Sequence, residues 1–566
     1  MLKAKAPVVI SEITSRLVSM PGPSGLQVVG YIDEGSEAVW NERIVILAPR
    51  YGETKKNNLQ LAYELVANGF KVLRFDQTNH VGESDGEMAA FTLSGVADDI
   101  LSVVDYVDRF YEPSEIVLIT LSLSSRSGFR ACAQDLRISR FVSLVGMLDM
   151  DRTLQAIYNR DFFGELKAGA TWSRVDILGF EIEGDKFYKS LVETDMLDLS
   201  GTLIDSGQVL APVLHLCAEK DLWVAREDVD QVISRCRNGR VVQIPNVGHE
   251  LNENPESLKF AVREILGFCS EGLKRVSDDV HVPDLKVLLR QNRVERLRLQ
   301  ASIQFAESET EFWGEYLGKF GIIEDAKYYV EYFDKMSGLL GTIQAGDVLL
   351  DAGCGNGFFG ISIVRALIRD ASVLGELPQP IHYCAIDLTA NGLDRSYSRH
   401  TESLVDLQRQ QLCKSASVGF SYRKIDFDIV GGERGASLPF ADGSISKICC
   451  SLVLSYLKEP LNLIQEIYRV LKPGGVAVVS SMKPGCDMTV LYHDYVTQEE
   501  DVAVEGQKDA ASLLSAAGRI KLKKDTGVYQ FFDAEELEHL AAQAGFVETR
   551  SCRSFGNQAN VIRIVK

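Results

Sequence analysis

Twice along this chain, short β-branched apolar runs alternate with stretches patterned for helix, and that rhythm admits few folds. A strand buried on both faces reads as an unbroken apolar run, and each return to a parallel neighbour needs a crossover, usually a helix. The pattern therefore predicts α/β architecture with largely parallel sheets. In the first series strands are expected at Arg43–Ala48, Lys71–Phe75, Glu115–Thr120, Phe141–Val145, Pro212–Cys217 and Arg240–Ile244. Asp149 to Gly207 interrupts them with aromatic and charged residues and few strand signals, as an inserted lid would. The second series predicts strands at Asp347–Asp351, Ile381–Ile386, Gly419–Ile425, Lys447–Ser451 and Val476–Ser480, with closing strands at Val547–Cys552 and Val561–Val565.

Between the series, Glu271 to Ser308 loses the rhythm, and Pro283–Leu299 reads as an amphipathic, highly charged helix spacing two bodies. The expected organisation is a domain over 1–270, a helical linker over 271–308 and a domain over 309–566. A chain of 566 residues, 46% hydrophobic, has the material for two sizeable cores. Its net charge of -19 repels phosphate backbones and anionic membranes, so neither nucleic acid nor a membrane is expected as a partner. Arg290, Arg293, Arg296 and Arg298 read as the solvated face of the linker helix. The 11 cysteines lack paired spacing, which predicts no disulfide framework and no metal site. Met1 to Met20 mixes Lys3, Lys5, Glu12 and Arg16 into its apolar residues, so neither a signal peptide nor a membrane span is read there, and a cytoplasmic location is expected.

The run Ile116 to Leu121 carries a buried strand into Ser122, followed by a helix-compatible stretch from Ser125 to Ala133, where a nucleophile elbow belongs. Elbows strain the serine backbone and prefer glycine two positions to either side, whereas Thr120 and Ser124 stand there. Asp221 follows the strand Pro212–Cys217 and His249 follows Arg240–Ile244, which gives the order Ser, Asp, His with acid and base each beyond a strand. In that chemistry His249 deprotonates Ser122, and Asp221 fixes the imidazole tautomer. The oxyanion is expected to meet the Leu123 amide and, from Ala48-Pro-Arg-Tyr51-Gly52, the Tyr51 amide.

The run Val72 to Ser84 with its Asp76, His80 and Gly82, then Phe91-Thr-Leu-Ser and the elbow Ser122-Leu-Ser124, resembles the acyl-carrier-protein acyltransferase (fatty-acyl thioesterase) family of bacterial luminescence. The resemblance covers most of residues 24 to 268. It implies an α/β-hydrolase fold and transfer of an acyl group from a thioester carrier to Ser122, then to water or another acceptor. The lid is its least similar part, so the acyl chain length does not carry over.

In the second half, Val348-Leu-Leu-Asp351-Ala-Gly353-Cys-Gly355-Asn-Gly357-Phe358 is a strand entering a glycine-rich turn and then a helix. A dinucleotide site would want a third glycine where Phe358 stands. Asp351 opposes a polyanion and attracts the cationic groups of S-adenosylmethionine. Asp387 ends the next strand, where a carboxylate can take ribose hydroxyls, and Asp426 follows the third, within reach of an adenine amino group; either could equally be a cap or turn residue. With Leu438-Pro-Phe440 and Leu471-Lys-Pro473-Gly-Gly475 these resemble the class I, Rossmann-like methyltransferases in their small-molecule branch, from about Tyr328 onward. Two departures stand out: Asp351 to Asp387 exceeds the roughly 20-residue interval, and Ser446 replaces the acid usual after Gly443. An acceptor-site base, if one acts, is expected near Tyr492 and His493, the alternative for His493 being a surface or packing role.

The reading is a bifunctional tailoring enzyme that handles an acyl thioester, for instance on an acyl carrier protein, and methylates a small molecule with S-adenosylmethionine. Two alternatives stand beside it: a methyltransferase with a non-catalytic, carrier-binding hydrolase-like module, and a thioesterase coupled to carboxyl O-methylation.

Overall fold

In the computed structural model the described residues are 13–35, 40–273, 308–319, 326–374, 380–409, 418–431, 437–487 and 504–566. The linker helix expected at Pro283–Leu299 lies outside them. Two units divide the chain, one of Met1–Glu295 with Ala517–Asp525 and one of Arg296–Ala516 with Thr526–Lys566.

The first unit contains β1 (Thr14–Pro21), β2 (Gln27–Glu34), β3 (Arg43–Ala48), β4 (Lys71–Phe75), β5 (Glu115–Leu121), β6 (Ile138–Leu144), β7 (Val175–Ile177), β8 (Phe180–Ile182), β9 (Val213–Ala218) and β10 (Gly239–Ile244). Eight of these form one sheet in the order β1-β2-β4-β3-β5-β6-β9-β10, with β1 and β2 antiparallel to their neighbours and the rest parallel. This is the α/β-hydrolase arrangement. Every residue of β3, β4 and β9 is buried, because helices cover both faces, and that is why apolar residues dominate their sequences, with Arg43, Lys71, Arg74 and His215 the buried polar exceptions. The edge strand β1 is mostly exposed, with Thr14, Ser15 and Arg16 ahead of its two buried residues, Val18 and Met20, so it lacked that signal.

The segment read as a lid holds helices Met150–Tyr158, Phe162–Lys167, Gly184–Glu193 and Leu199–Gln208. It also holds a feature the sequence did not announce, the hairpin β7–β8 with Ile177 opposite Phe180. Its two turn residues, Leu178 and Gly179, have φ of 51° and 92°, the left-handed pair that fits a tight hairpin to strand twist. Leucine is an uncommon choice at such a position, and the usual Asn-Gly cue is missing. The last lid helix is clamped to the helix Ser124–Gln134 where Arg126 Nη1 and Arg130 Nε meet Asp205 Oδ2 at 2.6 and 2.8 Å.

The second unit contains β11 (Val348–Ala352), β12 (Ile381–Asp387), β13 (Val418–Lys424), β14 (Ile445–Cys450), β15 (Leu471–Met482), β16 (Glu548–Ser554) and β17 (Ala559–Val565). The sheet order is β13-β12-β11-β14-β15-β17-β16, with β17 antiparallel to both its neighbours and the others parallel. Strand order reverses between β11 and β14. In open α/β sheets the crevice beyond the strand ends at such a reversal is where ligands bind, and the glycine-rich turn lies there. No described helix is long and apolar enough to cross a membrane.

The helix Leu59–Ala67 buries Glu64 completely, and neither carboxylate oxygen has a hydrogen-bond partner among the described residues. Burial pushes the pKa of this carboxyl up to about 8. Between the ordinary carboxyl range and that value, the folded chain keeps a proton that the unfolded chain releases. Stability therefore falls as pH rises through this window, by about 1.4 kcal/mol per pH unit from this group. Glu64→Gln removes the dependence: hydrogen-exchange protection factors of β3 and β4 amides should decline less with rising pH in the variant than in the wild type, and equal slopes would refute the assignment.

Candidate active sites

β5 delivers Ser122 at its C-terminal end, just before the helix Ser124–Gln134. Ser122 has a φ of 52°, a left-handed backbone that costs an L-residue about 1–2 kcal/mol. Three backbone hydrogen bonds hold it there: Ser122 N donates to Leu144 O at 3.0 Å, and Ser125 N and Met147 N donate to Ser122 O at 3.0 and 3.1 Å. Thr120 fits beneath the turn because Gly128, one turn into the helix, has no side chain. A Cβ on Gly128 would fall 2.7 Å from Thr120 Cγ2 and 2.8 Å from Phe141 Cζ. The glycine an elbow normally keeps beside its serine is thus found in the helix that packs over it. Thr120 Oγ1 spends its proton on Ser125 Oγ at 3.0 Å.

Ser122 Oγ lies 2.8 Å from His249 Nε2, and His249 Nδ1 lies 2.8 Å from Asp221 Oδ2. These three residues, distant in sequence, are brought together because β5, β9 and β10 are parallel and end on the same side of the sheet. The His249 and Asp221 side chains are buried. Asp221 Oδ1 accepts the Trp223 amide at 2.9 Å, and the Trp223 ring lies against His249 with centroids 4.4 Å apart. The amides of Leu123 and Tyr51 donate to no acceptor among the described residues. Next to Tyr51, Gly52 N donates to His80 Nε2 at 3.0 Å.

In the second unit β11 runs into Gly353, Gly355 and Gly357, with φ of 86°, 48° and 85°, before the helix Phe358–Leu374. A Cβ on Gly353 would lie 2.1 Å from Val453 Cγ2, so the turn can close onto the chain beyond β14 only without a side chain. Asp351 is 1% exposed; its Oδ2 accepts the Tyr383 hydroxyl at 2.6 Å, and its Oδ1 has no partner among the described residues. Burial raises its pKa to about 7 against the opposing effect of Tyr383. Asp387 accepts from Gly355 N at 2.9 Å and from Thr389 N and Oγ1 at 2.8 Å each. Its pKa is raised by burial. Asp426 is exposed and caps the turn Phe427–Ile429 through Asp428 N at 2.9 Å. Tyr492 and His493 lie outside the described residues.

Several residues at these sites escaped sequence reasoning. Trp223 and Tyr383 sat in strings that gave no sign of their contacts. Leu452 has a φ of 60° where the chain leaves β14, with its amide on Ser480 Oγ at 2.9 Å; Ser480 Oγ also meets the Tyr332 hydroxyl at 2.6 Å. A left-handed leucine beside the glycine turn marks the strain that functional crevices tend to hold.

Residues 33–299 match the family described as acyl transferase, and residues 325–550 match the one described as a methyltransferase domain. The chain resembles an acyl transferase joined to a methyltransferase. An acyl transferase of Photobacterium phosphoreum is 26% identical over 212 residues, covering 37% of this chain and 69% of the relative. That of Vibrio campbellii is 25% identical over 265 residues, covering 46% and 86%. Among solved structures, DcsB in complex with its substrate analogue aligns at 16% identity and a TM-score of 0.37 over 46% of this chain and all of the other. Est1E of Butyrivibrio proteoclasticus with bound ferulic acid aligns at 19% and 0.38 over 45% of this chain.

In the methyltransferase-like half the Tyr383 hydrogen bond works against the upward shift of Asp351. Tyr383→Phe should therefore move the Asp351 titration above its value of about 7, read by carboxyl-carbon NMR. A midpoint that stayed put or fell would refute this account.

Proposed function

We propose that this chain is a bifunctional tailoring enzyme. Its acyltransferase-like half moves an acyl group from a thioester, such as one on an acyl carrier protein, through an acyl-Ser122 intermediate to water or another acceptor. Its methyltransferase-like half methylates a small-molecule intermediate using S-adenosylmethionine. The observation that carries the first reaction is the hydrogen-bond chain from Ser122 through His249 to Asp221.

Ser122 Oγ attacks the thioester carbonyl carbon while its proton passes to His249 Nε2, and the carbonyl electron pair moves onto oxygen. The Leu123 and Tyr51 amides meet that oxygen. Collapse expels the thiolate, which takes the proton from His249. In the second half-reaction water or the acceptor attacks the acyl carbon as His249 takes its proton, and collapse expels Ser122 Oγ, which recovers that proton. Asp221 keeps the Nδ1–H tautomer and steadies the imidazolium formed in each half-reaction. The Trp223 ring covers the imidazole face.

For the second reaction, the residues present fit S-adenosylmethionine. A buried carboxylate oxygen without a partner among the described residues, Asp351 Oδ1, suits a cationic amino group. Bound there, the cofactor supplies a methyl group on a sulfonium already activated for in-line displacement. Gly353, Gly355 and Gly357 would admit it, Asp387 would take ribose hydroxyls and Asp426 the adenine amino group. Positioning of the acceptor then carries most of the catalysis.

Incubating the protein with acyl-carrier thioesters should give an acyl adduct by intact mass that disappears in Ser122→Ala. Absence of both adduct and thioester cleavage across chain lengths would instead favour a carrier-binding module. Independently, S-adenosylmethionine affinity should rise with pH up to about 7 as Asp351 ionises, and Asp351→Asn should abolish that dependence. Calorimetric titration reads it, and a pH-independent wild type would refute the charge argument.

A further inference from the structure

The loop after β3, residues 49–52, is gripped on both sides of Tyr51. The Pro49 carbonyl accepts Ser124 Oγ at 2.5 Å and Gln77 Nε2 at 3.0 Å, and Gln77 Nε2 also donates to Ser124 Oγ at 2.8 Å. The elbow, the β3 loop and the segment after β4 therefore close a buried triangle. Arg50 pairs with Glu250, the neighbour of His249, at 2.8 Å and with Glu53 at 3.2 Å. On the far side Gly52 N donates to His80 Nε2 at 3.0 Å. Between these fixed points the Tyr51 amide has no acceptor among the described residues.

We infer that His80 and the Ser124–Gln77 pair are positioning residues that hold the loop with its Tyr51 amide directed at the oxyanion, while the neighbouring Gly52 amide is kept away. The inference rests on the acyl-serine reading above. An oxyanion donor works only within a few tenths of an ångström of its hydrogen-bonding distance, so a loop free to rotate its peptide planes would waste it. Ser124 stands where an elbow usually has glycine, and glycine could not reach the Pro49 carbonyl. The departure from the usual pattern thereby acquires a use. His80 must present a bare Nε2 to accept from Gly52. Burial depresses its pKa to about 3, so it stays neutral, and the Tyr51 and Phe91 rings pack around it with centroids 5.5 and 5.4 Å away.

The test uses the full chain with three probes: an acyl thioester for turnover, an acyl trifluoromethyl ketone that adds Ser122 to form an oxyanion, and a non-cleavable thioether of the same chain. In Ser124→Gly and in His80→Ala, kcat for acylation should drop at least about tenfold. Ketone affinity should drop with it, while KM and thioether affinity stay within about twofold. His80→Gln, which can still present an acceptor to Gly52, should recover part of the loss. A purely structural role would weaken ketone and thioether alike, and that result overturns the inference, as would wild-type kcat in both variants. Should His80→Ala fail to fold, Ser124→Gly carries the same comparison. A wild type that forms no Ser122 adduct overturns the acyl-serine reading, and this inference with it.

Discussion

A serine held at positive φ at the end of the central strand β5 sets the terms for the whole acyltransferase-like half. Such a backbone is costly, and the surrounding structure must over-determine it. Here the next strand pays part of that cost: Leu144 O and the Met147 amide lace Ser122 in place, and Val145 between them is itself left-handed at a φ of 44°, with its amide on Leu216 O at 2.8 Å. The strain is therefore spread across β5, β6 and β9. Beneath it, Thr120, Ser143 and His215 align across those strands and are wholly buried. The His215 ring nitrogens have no hydrogen-bond partner among the described residues, and burial drives its pKa down to about 4, so a neutral imidazole fills the space under the elbow.

The methyltransferase-like half answers to a different constraint, an acid kept out of water. Asp351 stands at the end of β11, where strand order reverses, with one oxygen on Tyr383 and the other without a partner among the described residues. Asp387 on the adjacent strand reaches back to Gly355 N, so it shapes the glycine turn. It lies on the far side of that turn from Val453, which occupies the space a Gly353 side chain would need. The turn is thus fixed from both neighbouring strands.

What could be read in the sequence followed from burial on both faces. β3 and β4 fall where their apolar runs place them, and the other parallel strands lie within about three residues of the expected spans, except β15, which starts at Leu471 and takes in the Pro-Gly-Gly stretch before the expected Val476. β1 and the lid hairpin could not be read this way. The first is an exposed edge, and the second turns on a left-handed leucine with no local cue. At the candidate site, Ser122, Asp221 and His249 announced themselves by order, because each follows a strand. Gln77 and His80 lie in a run whose resemblance was legible, but their contacts with Pro49 and Gly52 depend on tertiary approach. Thr120 departs from the usual glycine of the elbow, and the room it needs comes from Gly128, which lies outside the elbow motif.

The lid and the loop carrying Tyr51 are also in direct contact. Phe180, in the lid hairpin, sits so close to Gly52 that a Cβ there would fall 2.8 Å from its ring, and the same ring meets Tyr51 edge-on at 5.6 Å. A lid is the part of such a fold that diverges to suit new substrates. In this chain, divergence at Phe180 would also press on or release the loop that carries Tyr51. If Ser122 carries the proposed acyl transfer, substrate range and turnover are not independent traits here, and a change of acyl group made through this hairpin would require the loop to be re-fitted with it.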